Sequence, residues 1–152
     1  MTGPGGDTSS EAGEHLLTLH ASAVRFANHG VLIAGSSGDG KSTLALNLMG
    51  LGAELIADDY CILSRVEDEV WIQKPDTLPS AIEVRGIGLL HTAMAPKTIL
   101  SLVVDLTEPE TGRIPPPHHC DFFDLRFRKF KRIDGPHFPY AILHYLKHGL
   151  MA

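Results

Sequence analysis

Apolar and polar positions along the chain change period at a few definable places, and those places divide it into elements. The stretch 1–13 is rich in Gly, Ser, Thr and Pro and has almost nothing to bury, which predicts a disordered tail. The first apolar positions, from Leu16 to Val24 and in Arg25-Phe26-Ala27, predict short strands. A turn at Asn28-His29-Gly30 leads into Val31-Leu32-Ile33-Ala34, an uninterrupted apolar run of the kind a buried parallel strand requires. Leu44, Leu46, Leu48 and Met49, with Ala45 among them, suit a packed helix that Gly50 and Gly52 end. Glu54-Leu55-Ile56-Ala57 predicts a second buried strand, continued by Tyr60-Cys61-Ile62-Leu63 and returned by Val70-Trp71-Ile72. Beyond Pro75 and Pro79 come Ile82-Glu83-Val84-Arg85-Gly86-Ile87-Gly88 and a long apolar strand from Ile99 to Leu106. Pro115-Pro116-Pro117 marks a loop before a basic segment, and after Pro139 a short helix places Ile142, Leu143, Leu146 and Leu150 near one face. Many strands with few helices predict an α/β fold around a mixed sheet, as one domain over 14–152.

Composition narrows the class. A chain of 152 residues, 43% apolar and 20% charged, suits one globular domain with a real core. A formal charge of −5, with nine His counted neutral, argues against a general polyanion-binding surface, so nucleic acid is not an expected partner. Cys61 and Cys120 are too few for a disulfide framework. No charged segment followed by an apolar one opens the chain, and no apolar run approaches the length of a membrane span. No membrane contact is expected, and a reducing cytoplasm is the expected compartment.

One segment carries explicit chemistry. Gly35-Ser36-Ser37-Gly38-Asp39-Gly40-Lys41-Ser42-Thr43 fits G-x-x-x-x-G-K-[ST] between a strand and a helix. The glycines let the backbone curl so that successive N–H groups point inward at a phosphate, and the helix adds its positive end. Lys41 is expected to reach the terminal phosphates of a nucleotide, and the Ser42 hydroxyl a Mg²⁺ ion. The competing reading, a Gly/Ser turn that matches by chance, has the flanking elements against it.

Other candidates are less sharp. Asp58-Asp59 interrupts an apolar run, where two carboxylates are costly unless they meet a cation or a polar cavity. They lead as catalytic candidates, against a reading as a strand break with two solvated carboxylates. In an extended chain they point to opposite faces, so only one addresses a site unless the backbone bends. Asp105 competes: it ends Leu102-Val103-Val104 in the manner of a Walker B strand, and generic spacing favours it. His20 at a strand end could tune a carboxylate or relay a proton, although a lone histidine is more often structural. Glu83, one charge between Ile82 and Val84, decides nothing alone. His118-His119-Cys120-Asp121 and His137 contain metal-ligand types without the paired spacing of a zinc site. Arg126 to Arg132 interleaves basic and aromatic residues, and an edge strand whose charges discourage aggregation, or a contact for an acidic protein surface, is favoured over a nucleic-acid contact.

Taken together, His20, the loop ending Gly40-Lys41-Ser42, Leu55-Ile56-Ala57-Asp58-Asp59 and Ile82-Glu83-Val84-Arg85-Gly86-Ile87-Gly88 resemble the catalytic domain of HPr kinase/phosphorylase over residues 15–106. That family is the bacterial serine kinase of the phosphotransferase-system carrier HPr, and its P-loop domain resembles phosphoenolpyruvate carboxykinase around the nucleotide. The resemblance settles the contest of carboxylates for Asp58 and Asp59. It implies that Lys41 and the loop amides from Gly35 to Thr43 bind the β and γ phosphates of ATP. Ser42 and Glu83 would help hold Mg²⁺, with Asp59 assisting the metal or its waters. Asp58 would be the general base, or the acid in the reverse, phosphorolytic direction, with His20 close enough to bias its charge. The implied partner is HPr or a related carrier, and the implied assembly a homo-oligomer. Two departures stand out. Long members carry a further N-terminal domain, and this chain is similar to the short form of some proteobacteria. Their P-V-R-P-G-R-N motif reads Gly135-Pro136-His137-Phe138-Pro139-Tyr140 here, without arginines, which weakens the expectation of phosphorylase activity and of a hexamer. A small-molecule P-loop kinase and a non-catalytic ATP-sensing regulator are the alternatives.

Overall fold

The computed structural model describes residues 7–8 and 16–151. The tail expected over 1–13 lies outside the described residues except for Asp7 and Thr8. In chain order the elements are β1 (Asp7–Thr8), β2 (Leu16–Leu19), β3 (Ala21–Phe26), β4 (His29–Ala34), α1 (Lys41–Gly50), β5 (Glu54–Ala57) and β6 (Cys61–Val66). There follow β7 (Glu69–Gln73), β8 (Ala81–Val84), β9 (Gly88–His91), β10 (Thr98–Pro109), β11 (His118–Phe122), β12 (Leu125–Arg132) and α2 (Phe138–His148).

Among the described residues, two sheets share β10, and β8 with β9 forms a separate hairpin. The first residues of β10, Thr98 and Ile99, pair antiparallel with β7, extending the order β1-β2-β6-β7. From Leu100 the strand runs parallel to β4, and from Leu102 parallel to β12, giving the second sheet β11-β12-β10-β4-β3-β5. Side-chain alternation then sorts the core. Val103 and Leu32 face the first sheet and pack with Leu17, Leu63 and Ile72. Leu102, Val104, Val31 and Ile33 face the other way, against Leu44 and Leu48 of α1 and Ile142 of α2. The layers are therefore first sheet, second sheet, helices. A strand in the middle layer is buried on both faces, which is why β4 reads as a continuous apolar run. Gly30 permits the closeness of β4 and β10, since a Cβ there would lie 2.7 Å from the Ile99 carbonyl oxygen.

The expected mixed α/β architecture is present, but two expected strands are each two strands. Leu16 to Val24 breaks at His20, with β2 in the first sheet and β3 in the second. The run from Glu54 to Leu63 breaks at Asp58-Asp59-Tyr60, between β5 of the second sheet and β6 of the first. The apolar pattern hides both breaks because the strands on either side are equally buried. The expected edge strand is a further correction. β12 is interior, with β11 on its outer side, and its Lys129 and Lys131 pair with Asp105 and Glu108. α2 begins at Phe138, so Pro139 sits in its first turn, where a missing N–H breaks no helical bond. No helix among the described residues is long and apolar enough to cross a membrane.

Candidate active site

β4 ends at Ala34, and the chain turns through the glycine-rich segment into α1. Gly38 and Gly40 hold φ of +88° and +95°, a left-handed backbone that side chains resist. Asp39 closes the turn on itself: its Oδ2 accepts the Ser36 N–H at 2.7 Å, and its own N–H donates to the Ser36 carbonyl at 3.0 Å. Among the described residues no side chain caps the start of α1, and its first turn carries no acidic residue. The uncapped amides and the positive end of the helix thus face the loop. Lys41 is only 7% exposed, and its Nζ donates to the carbonyls of Gly35 and Ser36 at 3.0 and 3.1 Å. Among the described residues no carboxylate forms an ion pair with it. A buried ammonium held by neutral carbonyls is an unmatched charge, and an anion in the loop matches it.

The two corners where the chain changes sheets lie against each other beside this loop. The Ala21 N–H donates to the Asp59 carbonyl at 3.0 Å, and the Cys61 thiol to the Ala21 carbonyl at 3.2 Å. Asp58 is half-buried, and its Oδ1 accepts the hydroxyls of Ser42 at 2.7 Å and Ser22 at 2.8 Å. Among the described residues its Oδ2 receives only the Glu83 N–H, at 3.4 Å. Asp59 has φ +78°, the bend that lets it serve the same corner, and its Oδ1 accepts from His20 Nε2 at 2.8 Å. The His20 ring in turn lies against Tyr60, with centroids 5.1 Å apart. His20, Lys41, Ser42, Asp59, Glu83 and Arg85 line a cavity of about 370 Å³ together with the loop. Asp58 is joined to that wall through the Ser42 hydroxyl and the Glu83 N–H.

Asp105 is elsewhere. It follows Val104 of the helix-side face and so points to the opposite one, where its Oδ1 accepts the N–H and hydroxyl of Thr107 at 2.9 and 2.6 Å. Lys129 Nζ lies 3.8 Å from its Oδ2. Burial, and then the Asp58 carboxylate, push the Cys61 thiol far above its usual range, so it is an inert core group. His118 is held by Glu110 at 2.8 Å, and among the described residues no three His, Cys, Asp or Glu side chains cluster as a metal cage. Ser22 is the site residue that sequence reasoning missed. Its signal is faint: one polar position in the apolar run Ala21 to Val24, two residues after His20.

With this geometry in place, comparison with known proteins is decisive for the family. The model of the HPr Serine kinase C-terminal domain matches residues 14–115. The chain belongs to that family. The HPr kinase/phosphorylases of Xanthomonas campestris pv. campestris and Xanthomonas oryzae pv. oryzae are each 37% identical to it over 107 residues, 65% of this chain. The matched region is 34% of each of those proteins, so the chain spans about a third of the relatives it matches. Among solved structures, the Hpr(Ser) kinase/phosphatase from Coxiella burnetii superposes with a TM-score of 0.71 at 21% identity, covering 86% of this chain and 93% of that one. The shared fold is the one the sequence resemblance implied. β11, β12 and α2 fall beyond the family match.

Proposed function

We propose that the chain is a Mg²⁺-dependent protein serine kinase that transfers the γ-phosphoryl group of ATP to a serine of HPr or a related phosphocarrier, in the cytoplasm and as a homo-oligomer. The observation that carries this reading is the 2.7 Å hydrogen bond from Ser42 of the phosphate loop to the Asp58 carboxylate. It stations a proton acceptor beside the loop that would present the terminal phosphate. Membership of the HPr serine kinase family supports the same reading.

Phosphoryl transfer needs alignment and charge neutralisation, and only a modest base. The serine oxygen bonds to the γ-phosphorus, the bond from that phosphorus to the β,γ-bridging oxygen breaks, ADP leaves, and the hydroxyl proton passes to Asp58. Oδ1 already accepts two hydroxyls, so Oδ2, with one long N–H contact, is the oxygen assigned to take it. Lys41 exchanges its carbonyl partners for β- and γ-phosphate oxygens. His20 holds Asp59 in place at the cavity wall. In the phosphorolytic direction an oxygen of inorganic phosphate bonds to the phosphoserine phosphorus, the bond from that phosphorus to the serine oxygen breaks, Asp58 gives its proton to that oxygen, and pyrophosphate leaves.

The donors here, the Ser42 hydroxyl with the carboxylates of Asp59 and Glu83, are hard oxygens of the kind Mg²⁺ prefers. Mg²⁺ commonly keeps waters and phosphate oxygens among its ligands, and three side-chain oxygens leave room for them. We assign these three residues to hold it, where it would neutralise phosphate charge. The test is mass spectrometry of candidate carriers after incubation with the chain, ATP and Mg²⁺, beside an Asp58→Asn control. One added phosphate on a carrier serine, absent in the control, is expected. ATP binding without transfer would instead favour a small-molecule kinase or an ATP-sensing regulator.

A further inference from the structure

A second cavity, of about 360 Å³, opens where β12, the loop after β10 and α2 meet. It lies on the helix side of the second sheet, with β10 between β12 and the phosphate-loop strand β4. Ile114, Phe130, Ile133, Phe138 and Tyr145 supply apolar walls. Phe130 and Tyr145 meet edge to face with centroids 4.9 Å apart. Arg128 projects among them. It is half-buried, its guanidinium carbon stands 5.7 Å from the centre of the Phe130 ring, and its buried Nε has no hydrogen-bond partner among the described residues.

The two lysines beside Arg128 and the Glu110 carboxylate are matched to other groups. Lys129 pairs with Asp105 and Lys131 with Glu108. Glu110, the carboxylate in the lining, accepts from His118 at 2.8 Å and from the N–H groups of Thr111 and Gly112 at 3.0 and 2.9 Å. Arg128 enters none of the ion pairs among the described residues. Arg113, the other arginine of the lining, is exposed to solvent. A partly buried guanidinium with an unmet N–H carries a desolvation cost that a charge-assisted contact to an anion offsets, and its planar fork matches a carboxylate.

We infer that this cavity is a binding site for a small organic carboxylate with an apolar or aromatic body, the carboxylate on Arg128 and the body against Phe130, Tyr145 and Ile114. One partly buried guanidinium outside every ion pair of the described residues calls for one negative charge. The apolar walls call for a body that gains by leaving water. A phosphate dianion suits the site less, because Glu110 stands in the same lining.

The test uses 3-phenylpropionate and its uncharged amide as probes on the full chain, by saturation-transfer NMR and calorimetry, with and without ATP. The acid is expected to bind at least about tenfold more tightly than the amide, the size of one charge-assisted hydrogen bond. Arg128→Gln should bring the acid down to the level of the amide and leave the amide unchanged. Ala141→Phe, which fills the cavity from α2 and leaves Arg128 in place, should remove both, with circular dichroism confirming that each variant is folded. The acid–amide comparison needs no variant. Equal affinity of the two probes, acid binding unmoved by Arg128→Gln, displacement of the acid by ATP, or no binding of the acid at millimolar concentration would each overturn the assignment.

Discussion

Asp58 follows the last residue of β5 and Asp105 follows Leu102-Val103-Val104 within β10, both strands of the second sheet, yet the structure gives them opposite surroundings. At the β5–β6 corner the chain leaves one sheet for the other, and Asp58 is drawn onto Ser42 of the phosphate loop and onto Ser22. At the far end of β10 the strand runs on to Pro109, and Asp105 is spent on Thr107 and Lys129. The difference is one of facing. β10 keeps its alternation through Val103 and Val104 to Asp105, before its register against β12 shifts, which turns Asp105 to the side away from α1. β5 stops, and the bend at Asp59 frees the pair from strand alternation. A carboxylate at a strand end is therefore a candidate for the loop only after its side of the sheet is known.

The sharpest way to break this comparison is to exchange the two roles. Asp58→Asn should lower phosphoryl transfer by about 10²–10⁴-fold, the range for loss of a positioned proton acceptor, while ATP affinity changes little. Asp105→Asn should leave transfer near its original rate. If the effects were reversed in steady-state assays, Asp105 would be the working carboxylate and the corner merely structural.

Ser22 sharpens the same contrast, because it holds Asp58 from behind, as a positioning residue. Ser22→Ala removes a donor to a charged acceptor, worth about 1.5–3 kcal/mol, so kcat should fall about tenfold or more with the KM for ATP unchanged. Ser22→Thr, which keeps the hydroxyl, should restore most of the rate. A smaller effect is expected for the stability of Asp105→Asn. Losing a half-buried ion pair to Lys129 should cost about 1 kcal/mol or less, read from urea unfolding.

The smallest effect belongs to the loop that follows β10. The N–H of Gly112, and then His118, hold the Glu110 carboxyl below its ordinary value of 4.5. A carboxyl lowered by folding contributes stability that is fully present above that ordinary value and is lost as pH falls through the folded one. Thermal unfolding of Glu110→Gln against the unaltered chain should show a slight gap at neutral pH that closes on the acid side. A gap that widened there would reverse the assignment.

Much of the site is legible in the amino-acid sequence. The phosphate loop, its strand and its helix are contiguous, so nine neighbouring residues carry both the turn geometry and the chemistry. His20, Asp58-Asp59 and Glu83 become a set through their order along the chain and the family pattern they resemble. Ser22 is not legible, because a small polar residue in a strand has the same local appearance whether it faces a carboxylate or packs quietly. The sheet changes at His20 and at Asp58-Asp59-Tyr60 are hidden by equal burial on either side. The interior place of β12 is hidden too, since its many charges read as an exposed edge until their partners across the sheet are known.

By itself the sequence determined the α/β class, the phosphate loop and the pool of charged residues from which a site could be built, because those depend on local periodicity and on glycine and lysine at short spacing. Only the tertiary structure decided how Asp58 meets the loop, that Ser22 stands behind it, and that among the described residues Arg128 has no ion-pair partner in a pocket of aromatic rings. Each of these depends on which strands lie side by side and which face a residue takes, and strand pairing is settled by packing over the whole core rather than by any one segment.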